Sequence, residues 1–120
     1  MYFKAIRGAT TVENNDATEI IEEAKKLLGE IVEKNNLQLE NIISATFTTT
    51  RDLDAAYPAV GARQIGWTGV ALMCMSEMYV PGSLEKCIRV IIHINAEEKN
   101  KEIKYVYLKG AKILRPDLEK

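Results

Sequence analysis

The stretch "KCIRVIIHIN", residues 86 to 95, alternates with a period of two. Ile88, Val90, Ile92 and Ile94 share one face, and Cys87, Arg89, Ile91 and His93 share the other. Such a strand carries apolar side chains on both faces, so whatever the chain folds into must cover both. It also sets a guanidinium among isoleucines and valines, where an unpaired charge is costly to desolvate. A second strand repeats this placement. "FKAIRGATTV", residues 3 to 12, puts Phe3, Ala5 and Arg7 on one face and Lys4, Ile6 and Gly8 on the other.

The cover available is limited. From Asp16 onward, Ala17, Ile20, Ile21, Ala24, Leu27, Leu28 and Ile31 recur at three- and four-residue steps, the stripe of a helix packed on a sheet. Asp16 with Glu19 resembles a capping pair, and Asn35–Asn36 suits a left-handed stop. Residues 41 to 50, "NIISATFTTT", read as a second strand with Ile43, Ala45 and Phe47 on one face. Residues 57 to 66 read as a short helix with Pro58 in its first turn and Gly66 past its end. "VALMCM" (70 to 75) is a further strand, "VPGS" from Val80 a type II turn, and Tyr105 to Leu114 a last strand. The order β-α-β-α-β-β-β predicts one α/β (α+β) domain over residues 1–120, with a mixed five-stranded sheet and two helices. One long helix cannot cover two apolar sheet faces. A homo-oligomer is therefore expected, with a second chain over the remainder.

Composition narrows the function. Lys plus Arg number 16 against 17 Asp plus Glu in 120 residues, so no field of one sign exists for nucleic acid or an anionic membrane. No apolar run approaches the roughly 20 residues that span a bilayer, and no secretory leader is legible, which gives a cytoplasmic reading. Cys74 and Cys87 stand outside any Cys-x-x-Cys spacing, and His93 is the lone histidine. A zinc cage, a disulfide scaffold and a serine-histidine hydrolase are disfavoured. What remains are five arginines, Arg7, Arg51, Arg63, Arg89 and Arg115, all in strands or at element ends, against eleven lysines crowded on the helix and a charged loop. A guanidinium binds a carboxylate through two parallel hydrogen bonds. Two arginines in strands point to an anion pocket; a structural ion pair, with Glu77 of "CMSEM" as the partner, is the alternative. Cys74 reads first as an apolar filler, and Tyr107 as a packing residue with a hydroxyl to offer.

"IRGATTVE", "DLDAAYPAVGARQIGW", "CMSEM", "PGSLEKCIRV", "YVYL" and "LRPDL" together resemble the monofunctional chorismate mutases of the Bacillus type, in the same order from Ile6 to Leu118. The resemblance implies a homotrimer assembled as a pseudo-α/β barrel, with sites between subunits. It implies conversion of chorismate to prephenate in phenylalanine and tyrosine biosynthesis, with no cofactor and no metal. It also implies roles. Arg89 would be the cation at the ether oxygen, Arg7 a carboxylate grip, and Glu77 the acceptor of the ring hydroxyl. Tyr107 would hold the side-chain carboxylate, and Cys74 would sit beside Glu77. Tyr57, Ala59, Arg63 and Met73 would line the cleft, with Arg63 and Arg115 at its mouth. Tyr57 stands where the family often has phenylalanine, and Val60 at a position charged in relatives. Two other readings stay open at this level: a trimeric deaminase of reactive imines or enamines, and a non-catalytic trimer that binds a carboxylate metabolite.

Overall fold

A computed structural model of the protein describes residues 1–115. The strands are β1 (Tyr2–Thr11), β2 (Ile42–Thr49), β3 (Ala71–Ser76), β4 (Cys87–Ala96) and β5 (Val106–Tyr107). The helices are α1 (Ala17–Asn35) and α2 (Ala59–Gln64), with short 3-10 helices at Leu39–Asn41, before β2, and Lys109–Leu114, after β5. One five-stranded sheet results, in the order β3-β2-β4-β1-β5. β4 runs antiparallel to both β1 and β2, while β3 and β5 extend the edges in parallel with β2 and β1. The mixed α/β domain expected from the pattern is thus present.

Helix α1 begins where Asp16 accepts a hydrogen bond from the Glu19 amide at 2.9 Å. Glu19 in turn accepts from the Glu13 and Asn14 amides, which ties the exit of β1 to the first helical turn. The apolar stripe of α1 meets β1, β2 and β4 in one core built around Ile6, Phe47, Ile88, Ile92 and Ile94. Ala59 and Ala62 of α2, with Trp67, join the same core. Each fully buried aliphatic side chain there contributes about 1.5–3 kcal/mol of transfer free energy. The opposite sheet face is covered at one edge only, by a small cluster of Ala9, Cys87, Tyr107 and Ala111. Elsewhere on that face Phe3, Met73 and Met75 are exposed.

Two details differ from the pattern. A register irregularity in β2 between Ile42 and Ser44 turns Ile42 into the core and Ile43 out to solvent. The last strand is also shorter than expected, with Val106–Tyr107 alone in the ladder. After the Leu108 amide donates to the Ala9 carbonyl, Lys109 turns to φ 51° and the Gly110 amide donates to Thr11 Oγ1 at 3.0 Å, so the chain leaves the sheet. The tail after Leu114, compatible in sequence with a closing or a fraying segment, lies outside the described residues from position 116 on.

Asn36 is the left-handed stop, with φ 50°. Asn35 has a different role. Buried, its amide nitrogen donates to the Ile31 and Lys104 carbonyls at 3.0 and 2.8 Å, and its oxygen accepts from the Lys104 amide at 2.7 Å. It thus clasps the segment leading to β5 against α1. We predict that Asn35→Ala lowers the free energy of unfolding by about 2–3 kcal/mol, because it strands backbone groups of Lys104. Asn36→Gly should stay within about 0.5 kcal/mol of the parent. Denaturant unfolding of the two variants checks the contrast.

Candidate active site

The register of the sheet builds a row of side chains across its less covered face. Thr48 of β2 opposes Arg89 of β4, Arg89 opposes Ala9 of β1, and Ala9 opposes Tyr107 of β5. Ala9, one methyl between two long side chains, leaves room for both. Arg7 opposes Ile91, so it is the diagonal neighbour of Arg89 on the same face. Arg7, Ala9, Arg89 and Tyr107, with Leu114 and Arg115 from the C-terminal 3-10 segment, line one small cleft of about 90 Å³. Three arginines and a tyrosine line it, the Arg115 guanidinium lying 5.8 Å from the Tyr105 ring centroid, and no carboxylate is among the lining residues. In a chain of net charge −1, that is a local concentration of cations suited to an anion.

Glu77 stands beside this cleft. Its amide donates to Thr49 at 2.9 Å, which carries the β2–β3 pairing one residue past Ser76. Thr48 Oγ1 donates to Glu77 Oε1 at 2.7 Å, and that oxygen lies 3.4 Å from Arg89 Nε. The pair is only partly shielded, with side chains 28% and 33% exposed. It is an ion pair by distance, yet its direction is wrong for a hydrogen bond. Arg89 Nε is buried and has no hydrogen-bond partner among the described residues, and the Tyr107 hydroxyl is in the same state. Buried polar atoms are rarely left so, and each costs about 1–3 kcal/mol until a ligand or water satisfies it. The Glu77–Arg89 ion pair therefore leaves the Arg89 Nε hydrogen without an acceptor.

Cys87 lies on the face of Arg89, two residues away along β4. Burial pushes its thiol up from the ordinary value, against the opposing pull of the Arg89 guanidinium, so at neutral pH it is a packed thiol rather than a nucleophile. His93 has a satisfied ring: it meets Ser44 Oγ at 3.3 Å and stacks on Phe3 with centroids 5.1 Å apart.

The remaining residues singled out from the sequence do not join this cleft within one chain. Cys74 opposes Phe47 and packs toward the main core, on the far side of β3 from Glu77, because residues three apart in an extended chain point to opposite faces. It lines a separate open groove of about 540 Å³ with Tyr57, which is 69% exposed. Met73 is exposed on edge strand β3, Arg63 is exposed on α2, and Ala59 is buried at the start of α2. The site residues thus fall into two sets, one on the β1–β4–β5 face and one on the β3 and α2 side. Two further members went unnoticed in the sequence. Thr48, which holds Glu77, was signalled by its alternation with Phe47; Ala9, the spacer, carried no signal of its own.

A family model described as "Chorismate mutase type I" matches residues 3–118. Chorismate mutase AroH of Bacillus subtilis (strain 168) is 41% identical over 119 residues, covering 98% of this chain and 94% of the relative. Chorismate mutase AroH of Thermus thermophilus is 42% identical over 117 residues, covering 97% and 96%. Among solved structures, a chorismate mutase from Clostridium thermocellum superimposes with a TM-score of 0.89 at 61% identity, over 92% of this chain and 98% of that one. Fold, arginine cleft and sequence likeness run together over almost the whole length: the chain belongs to the type I chorismate mutase family.

Proposed function

We propose that this protein is a chorismate mutase of aromatic amino acid biosynthesis, converting chorismate to prephenate in clefts shared between the subunits of a cytoplasmic homotrimer. The observation that carries the reading is the pair of orphaned buried groups, Arg89 Nε and the Tyr107 hydroxyl, on residues lining a cleft with Arg7 and Arg115. A compact dianion with oxygen acceptors in its middle would satisfy them.

The reaction is a concerted rearrangement inside one molecule, in which a carbon–oxygen bond breaks as a carbon–carbon bond forms. It needs no nucleophile and no obligatory proton transfer, which fits a site of fixed charges. Arg7 and Tyr107 grip carboxylates and hold the substrate in the folded conformer that brings the reacting carbons together. Arg89 donates toward the ether oxygen, where negative charge builds as the bond breaks; this contact strengthens in the transition state and so accelerates the step. Glu77, fixed by Thr48, accepts from the ring hydroxyl and restrains Arg89. Arg115 meets the outer carboxylate.

Assembly supplies the rest. Phe3, Met73 and Met75 leave apolar surface on the sheet face that α1 does not cover, which supports burial against a neighbour. In the proposed trimer, a pseudo-α/β barrel, the neighbour's side bearing Tyr57, Ala59, Arg63, Met73 and Cys74 closes the cleft that Arg7, Arg89 and Tyr107 open. This accounts for two sets of residues that do not meet inside one chain.

Loss of chorismate's diene absorbance, with prephenate identified as the product, tests the activity directly. Arg89→Ala should lower kcat by about 100-fold or more while the assembly stays folded. Arg89→Lys should also lose more than about tenfold, since one ammonium cannot reproduce the planar fork. Near-normal turnover in either would remove Arg89 from its role. Sedimentation should give three times the mass of the 13.5 kDa chain. A stable, active monomer would contradict a shared cleft.

A further inference from the structure

One carboxylate lies where the apolar stripe of α1 should be unbroken. Glu23 falls between Ile20 and Leu27 on the inward side of the helix, and its side chain is only 6% exposed. Its Oε2 accepts from Lys109 Nζ at 2.7 Å and from Lys26 Nζ at 3.3 Å, while Oε1 is buried with no hydrogen-bond partner among the described residues. Lys26 is an ordinary neighbour three residues along the same helix. Lys109 reaches Glu23 from the other end of the sequence, two residues after Tyr107.

Lys109 is also one of three non-glycine residues with positive φ among the described residues, at 51°. An L side chain rarely adopts that conformation, and it persists where the surroundings hold it. The hold here is visible on both sides. Leu108 is hydrogen-bonded to Ala9, Gly110 to Thr11, and a Cβ at Gly110 would meet Thr11 Oγ1 at 3.0 Å, so the turn is pressed against β1. Between these backbone clips, the Lys109 side chain is drawn to α1. The same turn directs the chain from Tyr107 on one wall of the cleft to Leu114 and Arg115 on another.

Resting on the chorismate mutase reading above, we infer that the Glu23–Lys109 pair is a positioning device for the reaction, fixing the turn that sets Tyr107, Leu114 and Arg115 around the substrate. Neither residue touches substrate. The pair acts through the carboxylate-gripping wall and not through Arg89, so its loss is read in substrate capture more than in the rearrangement.

The full-length chain is assayed with chorismate as wild type, as Glu23→Gln, as Lys109→Gly, and as the charge-exchanged double variant Glu23→Lys with Lys109→Glu. Unfolding midpoints are recorded for each. Glu23→Gln should raise KM about 3- to 10-fold with kcat within about twofold, and the double variant should return KM to within about twofold of wild type. Glycine tolerates the positive φ, so Lys109→Gly removes the ammonium without adding steric strain and should raise KM as Glu23→Gln does. Wild-type KM in either single variant would overturn the inference. So would a double variant that is folded yet no better than the single ones. If Glu23→Gln fails to fold, Lys109→Gly decides alone. Absence of turnover in the wild-type chain would remove the functional reading and this role with it, and is recognised before any substitution is made.

Discussion

The site depends on how β4 is paired. Sandwiched antiparallel between β1 and β2, it places Arg89 opposite Ala9 on one side and Thr48 on the other. A slip of one residue would turn Arg89 into the main core and Val90 out of it, because side chains alternate strictly along a strand. The aliphatic set Ile88, Val90, Ile92 and Ile94, all buried, opposes that slip with several kcal/mol of transfer free energy. The hydrophobic face of β4 therefore determines where its guanidinium stands. Rigid placement of a cation here is a consequence of burying isoleucine and valine on the reverse side.

Such rigidity is what the proposed chemistry would use. Enzymatic accelerations begin near a millionfold, about 8 kcal/mol, and a single preorganised donor at a developing oxyanion supplies about 2.7–4 kcal/mol. In the proposed reading Arg89 accounts for at most about half of that minimum, and the remainder falls to holding a dianion in one folded conformer. Arg7, Tyr107 and Arg115 are spaced for that by the same sheet register and by the turn at Lys109. Glu77, 3.4 Å from Arg89, does not undo the cation. With both side chains partly solvated their attraction is screened, and the geometry leaves Arg89 Nε without a hydrogen bond to give up in the proposed contact with substrate.

Much of this was legible in the residues themselves. Period-two alternation marks β1 and β4, and the spacing of apolar residues marks α1 to within a residue of its Asp16 and Asn36 caps; the register between the strands is what puts Arg7 and Arg89 on one face. Legibility fails where long-range contacts decide. Residues 105 to 114 alternate well enough for a strand, but contacts with Ala9 and Thr11 bend them into a 3-10 helix after Tyr107. Ile43 outranks Ile42 by pattern, and a local irregularity in β2 reverses them. The family resemblance implies Cys74 beside Glu77, yet an odd step along an extended chain separates them across β3. Glu23 is the clearest case. Beside Glu22 and ahead of two lysines it reads as solvated helix surface, and only the return of the chain 86 positions later, at Lys109, makes it a buried partner.

The division of the site residues carries the argument from chain to assembly. Arg7, Arg89, Tyr107 and Arg115 converge on a cleft of about 90 Å³, too small to enclose a ligand of chorismate's size by itself. Tyr57 and Cys74 line a different groove around the edge of the sheet. A single chain therefore offers the cations on one surface and the cover on another, because β2 separates β3 from β4 and Cys74 faces the main core on the reverse side of the sheet. Joining the two surfaces of neighbouring copies would bring them together while burying Phe3, Met73 and Met75, which a lone chain leaves in water. In this reading the apolar face that one helix could not cover and the incomplete anion cleft are one problem, answered by one contact.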